Sequence, residues 1–212
     1  MPRILLADDH EIVRGGLKIF INTFIAHSGI DEAWDGTSTF EKVKGNDYQL
    51  IILDVNMPDT DSFELIGKII GTRPDAKILI FSMNPEDTYA RRYLNAGAKG
   101  YVSKASSTTE LGDAISTVLK NKRYISPSLS QAIAGEISGK RTSNPFDTLS
   151  SREFEIVQHL LKGESVSGIR NMLNLKASTV STYKARIFEK LKCKNAIELN
   201  QLARIYNILP PA

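Results

Sequence analysis

Short apolar runs alternate with amphipathic stretches along residues 1–120 of the chain. A continuous apolar run predicts a strand of a parallel sheet, because such a strand is buried on both faces. The predicted strands are 3–7, 30–34, 49–53, 77–81 and 99–103. Apolar residues at helical spacing predict helices between and after them, at 10–27, 37–46, 62–72, 86–96 and 107–119. Five strand–helix repeats predict a parallel sheet with helices on both faces.

The apolar period is helical throughout residues 148–212, where four helices are predicted. Ser150 and Glu153 form a capping-box pattern that starts the first of these helices. Met172 is expected to point inward from the second helix, and Val180, Ile187 and Leu191 from the third. The predicted helices are 150–163, 165–173, 178–192 and 196–206. The pattern indicates a small all-α domain, and on spacing alone a plain helical bundle explains it equally well.

Residues 121–147 separate these two regions and have the composition of a linker. Pro and Gly interrupt the segment, and Ser, Lys and Asn lie between them. Apolar residues on one helical face predict a short helix at 128–138. We therefore expect one domain at 1–120, a linker at 121–147 and a second domain at 148–212.

Composition is consistent with a two-domain chain in a reducing compartment. The chain has 212 residues, and its one cysteine, Cys193, excludes an internal disulfide. No charged-then-apolar leader and no 18-residue apolar run is present, so we expect neither a signal peptide nor a membrane partner. A cytoplasmic location is expected. Cys193 is interpreted as a small, partly buried apolar side chain, and Trp34 is expected to pack on the sheet.

The charge is distributed unevenly between the two domains. Residues 1–120 contain 13 Lys and Arg against 17 Asp and Glu, a net charge of −4. Residues 148–212 contain 10 against 5, a net charge of +5. An acidic first domain and a basic second domain predict different partners for the two, and the basic one is a moderate indication of nucleic acid.

Polar side chains follow the predicted strands of the first domain. Asp8 and Asp9 follow the first strand, Asp54 the third, Ser82 the fourth and Lys104 the fifth. The carboxyl ends of parallel strands share one edge of the sheet, where α/β proteins place their sites. Carboxylates that meet there repel one another unless a cation joins them, and Mg²⁺ prefers such oxygen ligands. The pattern predicts an acidic pocket able to take a phosphoryl group on one carboxylate.

These residues, with Met57-Pro58 and the run from Ala96 to Tyr101, resemble a response-regulator receiver domain. The resemblance implies an α/β flavodoxin-like (βα)5 fold with a parallel five-stranded sheet. It also implies that Asp54 accepts the phosphoryl group and that Lys104 and Ser82 hold its oxygens. Tyr101 would be the switch aromatic. The implied Mg²⁺ ligands are Asp8, Asp9, Asp54 and the backbone carbonyl of Asn56.

The second domain resembles a LuxR-type helix-turn-helix, through Leu149-Ser150-x-Arg152-Glu153, Gly163-x-Ser165 and Lys190-Leu191 among other positions. A receiver followed by this module is the arrangement of the NarL/FixJ family. The resemblance implies that the helix at 178–192 enters the major groove of double-stranded DNA. Arg186 is the best candidate for a base contact, and lysines suit phosphates. The predicted DNA-binding residues are Lys176, Ser178, Thr179, Ser181, Thr182, Lys184, Ala185, Arg186 and Lys190.

Together the two resemblances predict a two-component response regulator and not an enzyme. A sensor histidine kinase would phosphorylate Asp54, and phosphorylation would control homodimerisation and sequence-specific DNA binding. RNA polymerase is a further candidate partner. Two alternatives stay open at this point: an enzyme of the aspartyl-phosphate class, and a receiver-controlled protein-interaction module with weak or no DNA binding.

Overall fold

A computed structural model of the chain describes residues 2–25, 28–131, 144–173, 175–206 and 208. The chain divides into two compact units, Met1–Ala132 and Ile133–Ala212. Each unit is described by itself below. In the described residues no helix combines the length and the apolar character that crossing a membrane requires.

The first unit is a five-stranded parallel sheet with the strand order β2-β1-β3-β4-β5. This confirms the predicted fold. Strands and helices alternate as β1 Arg3–Ala7, α1 Glu11–Phe24, β2 Gly29–Ala33, α2 Gly36–Gly45, β3 Leu50–Leu53, α3 Ser62–Thr72, β4 Ile78–Ser82, α4 Glu86–Asn95, β5 Gly100–Ser103 and α5 Thr108–Leu119.

The central strands are apolar because they are covered on both faces. All four residues of β3 are buried, and so are all five residues of β4. The strand register brings the strand ends together: Ala7 pairs with Leu53, and Ser82 pairs with Ser103. The residues that follow these pairs therefore emerge at the same edge of the sheet.

The turn between α4 and β5 depends on a glycine. Gly97 has a φ of 114°, a backbone conformation that residues with a side chain rarely adopt. A Cβ atom there would lie 2.4 Å from the Cδ1 atom of Ile70, so the space is closed as well. The glycine is required both by its φ angle and by the packing of α3.

The second unit contains the predicted helices within its described residues. A 3-10 helix at Pro145–Thr148 precedes α6 Ser151–Leu161, α7 Val166–Met172, α8 Ala177–Leu191 and α9 Ala196–Ile205. The predicted capping box is present: the Ser150 side chain accepts from the Glu153 backbone N–H, and the Glu153 carboxylate accepts from that of Ser150. Val180, Ile187 and Leu191 are buried, as predicted.

Three expectations need correction or fall outside the described residues. Met172 does not point inward: its side chain is 57% exposed. It is the last residue of α7. Trp34 was expected to pack on the sheet, but it is 56% exposed. It follows the last residue of β2, which is an edge strand. Of the helix predicted at 128–138, residues 127–131 are helical and the rest lies outside the described residues.

Candidate phosphoacceptor and DNA-binding sites

The acidic side chains predicted to meet at the sheet edge do meet there. Asp8, Asp9, His10 and Asp54 each offer a ligand atom, and these atoms lie within 4.8 Å of one another. Asp8 and Asp54 are both 2% exposed. The backbone N–H of Asp54 donates to the carbonyl of Ala7, which fixes the two strand ends side by side. The His10 Nδ1 atom lies 2.8 Å from Asp9 Oδ1.

Lys104 neutralises part of this negative charge. Its Nζ atom lies 2.7 Å from Asp54 Oδ2 and 2.7 Å from Asp8 Oδ2. Burial lowers the pKa of Lys104, but hydrogen bonds to Asp54 and Asp8 and their charges outweigh burial and raise it above its ordinary value. The ammonium is therefore a fixed cation, and it contacts the carboxylate that the resemblance assigns as phosphoacceptor.

Ser82 and Tyr101 lie on the β4–β5 side of the pocket and share a partner, Asn84. The Ser82 hydroxyl, which is fully buried, accepts from the Asn84 backbone N–H at 3.1 Å. The Tyr101 hydroxyl donates to the Asn84 carbonyl at 2.7 Å, and burial raises the pKa of Tyr101. Asn84 thus joins the hydroxyl side of the pocket to the predicted switch aromatic.

Asn56 completes the pocket opposite Asn84. Its backbone N–H donates to Asp54 Oδ1 at 3.1 Å. The side-chain amides of Asn56 and Asn84 exchange two hydrogen bonds of 3.3 Å, which connects the end of β3 to the end of β4. Sequence reasoning did not select Asn84. Its position two residues beyond a predicted strand-end ligand, Ser82, was the available signal.

The donor set fits a hard divalent cation. Three carboxylates converge from two neighbouring strand ends, and a cation bound between them would relieve their mutual repulsion. Lys104 contacts two of the three carboxylates, but its single positive charge does not balance their combined negative charge. Asp8, Asp9 and Asp54 are the residues that could hold such an ion.

In the second unit, α8 presents a polar face to solvent. Five of the predicted DNA-binding residues are exposed on this helix: Ser178, Ser181, Thr182, Ala185 and Arg186. Lys176, immediately before the helix, is also exposed, and Thr179 and Lys184 are half-buried. The Lys184 Nζ atom lies 5.5 Å from the centre of the Phe188 ring.

A shallow depression of about 290 Å³ lies on this face of α8. It is lined by Ser178, Thr179, Thr182, Tyr183 and Arg186. Four hydroxyls and one guanidinium are hydrogen-bonding groups of the kind that contact phosphates and base edges. Tyr183 belongs to this surface although sequence reasoning did not include it.

Lys190 has a partner within its own unit. Its Nζ atom lies 2.7 Å from the Oε2 atom of Glu153, which is 3% exposed. Burial raises the pKa of Glu153, but the hydrogen bonds from Lys190 and Ser150 and the Lys190 charge lower it below the ordinary value of 4.5. Lys190 therefore joins α8 to α6, and a phosphate contact by it stays a prediction.

Comparisons with known proteins identify the families of both domains. Residues 4–116 match the response regulator receiver domain, and residues 147–203 match the bacterial regulatory proteins of the luxR family. The chain is 33% identical to the response regulator UvrY of Escherichia coli, over 96% of this chain and 94% of that protein. It is 34% identical to the response regulator GacA of Pseudomonas viridiflava, over 96% and 95%.

A solved structure extends the likeness to nearly the whole chain. RcsB from Salmonella enterica serovar Typhimurium, bound to the promoter rprA in the presence of a beryllofluoride phosphomimetic, has a TM-score of 0.71 at 26% identity. The alignment covers 95% of this chain and 97% of that one. RcsB is bound to promoter DNA in that structure, so the protein-interaction alternative is not favoured. The chain belongs to the NarL/FixJ family of two-component response regulators, which bind DNA and regulate transcription.

Proposed function

We propose that Asp54 accepts a phosphoryl group from a sensor histidine kinase and that this controls DNA binding by α8. The observation that carries the proposal is the contact between the buried Asp54 carboxylate and Lys104 at 2.7 Å. Phosphoryl transfer needs an in-line acceptor and neutralisation of charge more than covalent help from the protein. Lys104 would supply this neutralisation, and its Nζ atom would bind an oxygen of the phosphoryl group on Asp54.

Mg²⁺ is the proposed metal, held by Asp8, Asp9 and Asp54 together with the backbone carbonyl of Asn56. When bound, the ion would supply charge neutralisation to the phosphoryl oxygens. Asp8 and Asp9 lie beside Asp54, and a phosphoryl group on Asp54 would add further negative charge there. Like charges this close repel one another unless a cation lies between them, so phosphorylation would depend on the metal.

Ser82 is proposed to bind a second phosphoryl oxygen and to pass its displacement to Tyr101. The two share Asn84, since Ser82 accepts from its N–H and Tyr101 donates to its carbonyl. A move of the Ser82 hydroxyl toward the phosphoryl group would change the hydrogen bonding of Asn84 and thereby the best position of the Tyr101 hydroxyl. Phosphorylation would then shift the populations of two existing conformations.

At the output, α8 is proposed to lie in the major groove, with Arg186 at a base edge. The remaining predicted contacts, among them Lys176, Thr179 and Lys184, would position the helix on phosphates. A solved structure described as two RcsB dimers bound to two parallel DNAs, with a TM-score of 0.60 at 27% identity, supports a dimer as the DNA-bound form. A DNA-binding regulator works where the DNA is, so we propose a cytoplasmic location.

The test is DNA binding by the full-length protein with and without beryllofluoride and Mg²⁺, in wild type and Asp54→Asn. Oligomeric state is followed by light scattering in the same samples. Tighter binding and dimerisation on activation are expected in wild type and absent in Asp54→Asn. Asp59→Asn is the matched control, because Asp59 is an exposed acid in the loop that follows Asp54. Equal behaviour of Asp54→Asn and wild type would refute the proposal.

A further inference from the structure

The start of the linker is attached to the first turn of α4. The Glu86 Oε2 atom accepts hydrogen bonds from the Ser126 hydroxyl at 2.8 Å and the Ser128 hydroxyl at 3.2 Å. The two hydroxyls are themselves 2.8 Å apart. We name these three residues, Glu86, Ser126 and Ser128, the linker anchor. The anchor lies wholly within the first unit.

Other contacts show that the anchor orders the linker start. Ser126 is 1% exposed, and its hydroxyl accepts from the backbone N–H of Leu129 at 3.1 Å, which caps the helical residues 127–131. Leu129 is buried. Upstream, the Tyr124 N–H donates to the carbonyl of Lys99 at 2.8 Å. The segment that leads out of the receiver is therefore held at successive points, and the anchor is its polar attachment to α4.

The anchor is also next to the pocket. Glu86 follows Asn84 by two residues, and Asn84 carries the hydrogen bonds of Ser82, Tyr101 and Asn56 described above. Pro85 is the N-cap of α4 and Glu86 its first residue. A change in the backbone of Asn84 is thus transmitted to the carboxylate that holds the linker, over only two residues.

We propose that the linker anchor is the connection through which the state of Asp54 controls the linker: movement of Asn84 withdraws Glu86 from Ser126 and Ser128 and releases residues 126–131. This inference rests on the proposed function, since it needs a switch at Asp54. It goes further by identifying the contact, the linker anchor, through which the switch acts on the linker. In the anchored state the linker restricts the DNA-binding unit, and release raises its affinity for DNA.

The chemistry of the anchor suits a contact that opens. Burial raises the pKa of Glu86, its two serine hydrogen bonds lower it, and the charges of Glu110 and Asp87 raise it again. The ionised carboxylate is less favourable in this partly desolvated place near like charges than in water, which lowers the cost of passing from the attached to the released state. A small displacement at the pocket can then decide between them.

The experiment compares Ser128→Ala and Glu86→Gln with wild type in the full-length protein. Ser128 is exposed and does not cap the helix, so its substitution removes an anchor bond and little else. Glu41→Gln is the matched control: it makes the same change as Glu86→Gln at an exposed position of α2, where Glu41 pairs with Lys44. The measurements are amide hydrogen exchange at Leu129 and Ser130 and the Kd for DNA, each with and without beryllofluoride and Mg²⁺.

In wild type we expect beryllofluoride to accelerate exchange at Leu129 and Ser130. Without beryllofluoride, Ser128→Ala and Glu86→Gln should already exchange faster by about tenfold, the factor expected for one hydrogen bond to a charged group. Their Kd without beryllofluoride should move toward the activated value, so that the ratio between the two conditions shrinks. Glu41→Gln should behave like wild type.

Three outcomes overturn the inference. If wild type responds to beryllofluoride and both anchor variants keep the wild-type Kd ratio, the linker anchor is not the connection, while the proposed function stands. If wild type itself shows no change in DNA binding with beryllofluoride, the proposed function fails and the inference with it. Faster exchange in the anchor variants with an unchanged Kd ratio also overturns it, because release would then have no consequence for DNA.

Discussion

The strongest quantitative prediction concerns Lys104→Met, which keeps most of the side-chain length and removes the ammonium. In the structure this ammonium lies 2.7 Å from both Asp54 Oδ2 and Asp8 Oδ2, and all three side chains are at most 10% exposed. The substitution leaves two buried carboxylates without their shared cation, beside a third carboxylate, Asp9. We therefore expect the receiver to lose stability in the absence of a divalent cation.

The magnitude follows from the burial of the pair. Removing one partner of a buried ion pair typically costs about 3–5 kcal/mol, because the remaining charge is left uncompensated. A bound cation should restore part of this loss: at a Mg²⁺ concentration a hundredfold above its Kd, binding contributes roughly 2.7 kcal/mol. Mg²⁺ should also bind more tightly to the variant than to wild type, because Lys104 no longer competes for Asp8 and Asp54.

The assay is urea unfolding of the receiver transition, in EDTA and in saturating Mg²⁺, together with a direct Mg²⁺ titration. Lys120→Met is the control, since Lys120 is exposed after the end of α5 and its loss changes the same charge. It should change the free energy of unfolding by less than about 0.5 kcal/mol. Wild-type stability of Lys104→Met in EDTA, or weaker Mg²⁺ binding by it, would refute the argument from charge compensation.

Three further predictions concern DNA contact, ion pairing and backbone geometry. Arg186→Ala should weaken specific DNA binding by about 1–3 kcal/mol and relax the preference at one base pair, whereas Lys162→Ala should not; a binding assay on single-base operator variants checks this. Glu153→Gln should destabilise the second unit by about 1–3 kcal/mol at pH 7, because the charged partner of Lys190 is lost while Gln can still complete the capping box. Because the folded-state pKa of Glu153 is below 4.5, its contribution is complete above pH 4.5 and lost as the pH falls through that pKa, so the difference in urea stability should vanish in acid. Gly97→Ala should cost about 1–3 kcal/mol, since φ is 114° and the Cβ would meet Ile70, and an unchanged urea midpoint would contradict this.

The sheet and the pocket were predictable because their signals are local. Each buried strand is a continuous apolar run, and each ligand follows its strand directly. The parallel arrangement then brings Asp8, Asp54 and Lys104 to one edge without any further information. The outward face of α8 was equally predictable, because three buried positions define the inward side of a helix.

What sequence reasoning missed depends on partners distant in the chain or on the limits of an element. The partner of Lys190 is Glu153, 37 residues away, and the sequence indicated for Glu153 only a capping role. Trp34 was expected to pack on the sheet, but it lies beyond the last paired residue of an edge strand and is 56% exposed. Met172 has helical spacing, yet α7 ends there.

Residues 82–86 begin with a pocket residue, Ser82, and end with a residue of the linker anchor, Glu86. The distance between the pocket and the linker is therefore only four residues along the chain. Ser82 is fully buried and Glu86 accepts from Ser126, so neither end can move without changing specific hydrogen bonds. A second route exists in the stacked rings of Tyr101, Tyr93 and Phe63, with centroid distances of 6.1 and 4.4 Å, but it leads to α3. Of these two routes, the first ends at the linker anchor. A displacement at Ser82 therefore has a direct covalent path to the residues that leave the receiver, and coupling between phosphorylation and DNA binding needs no longer network.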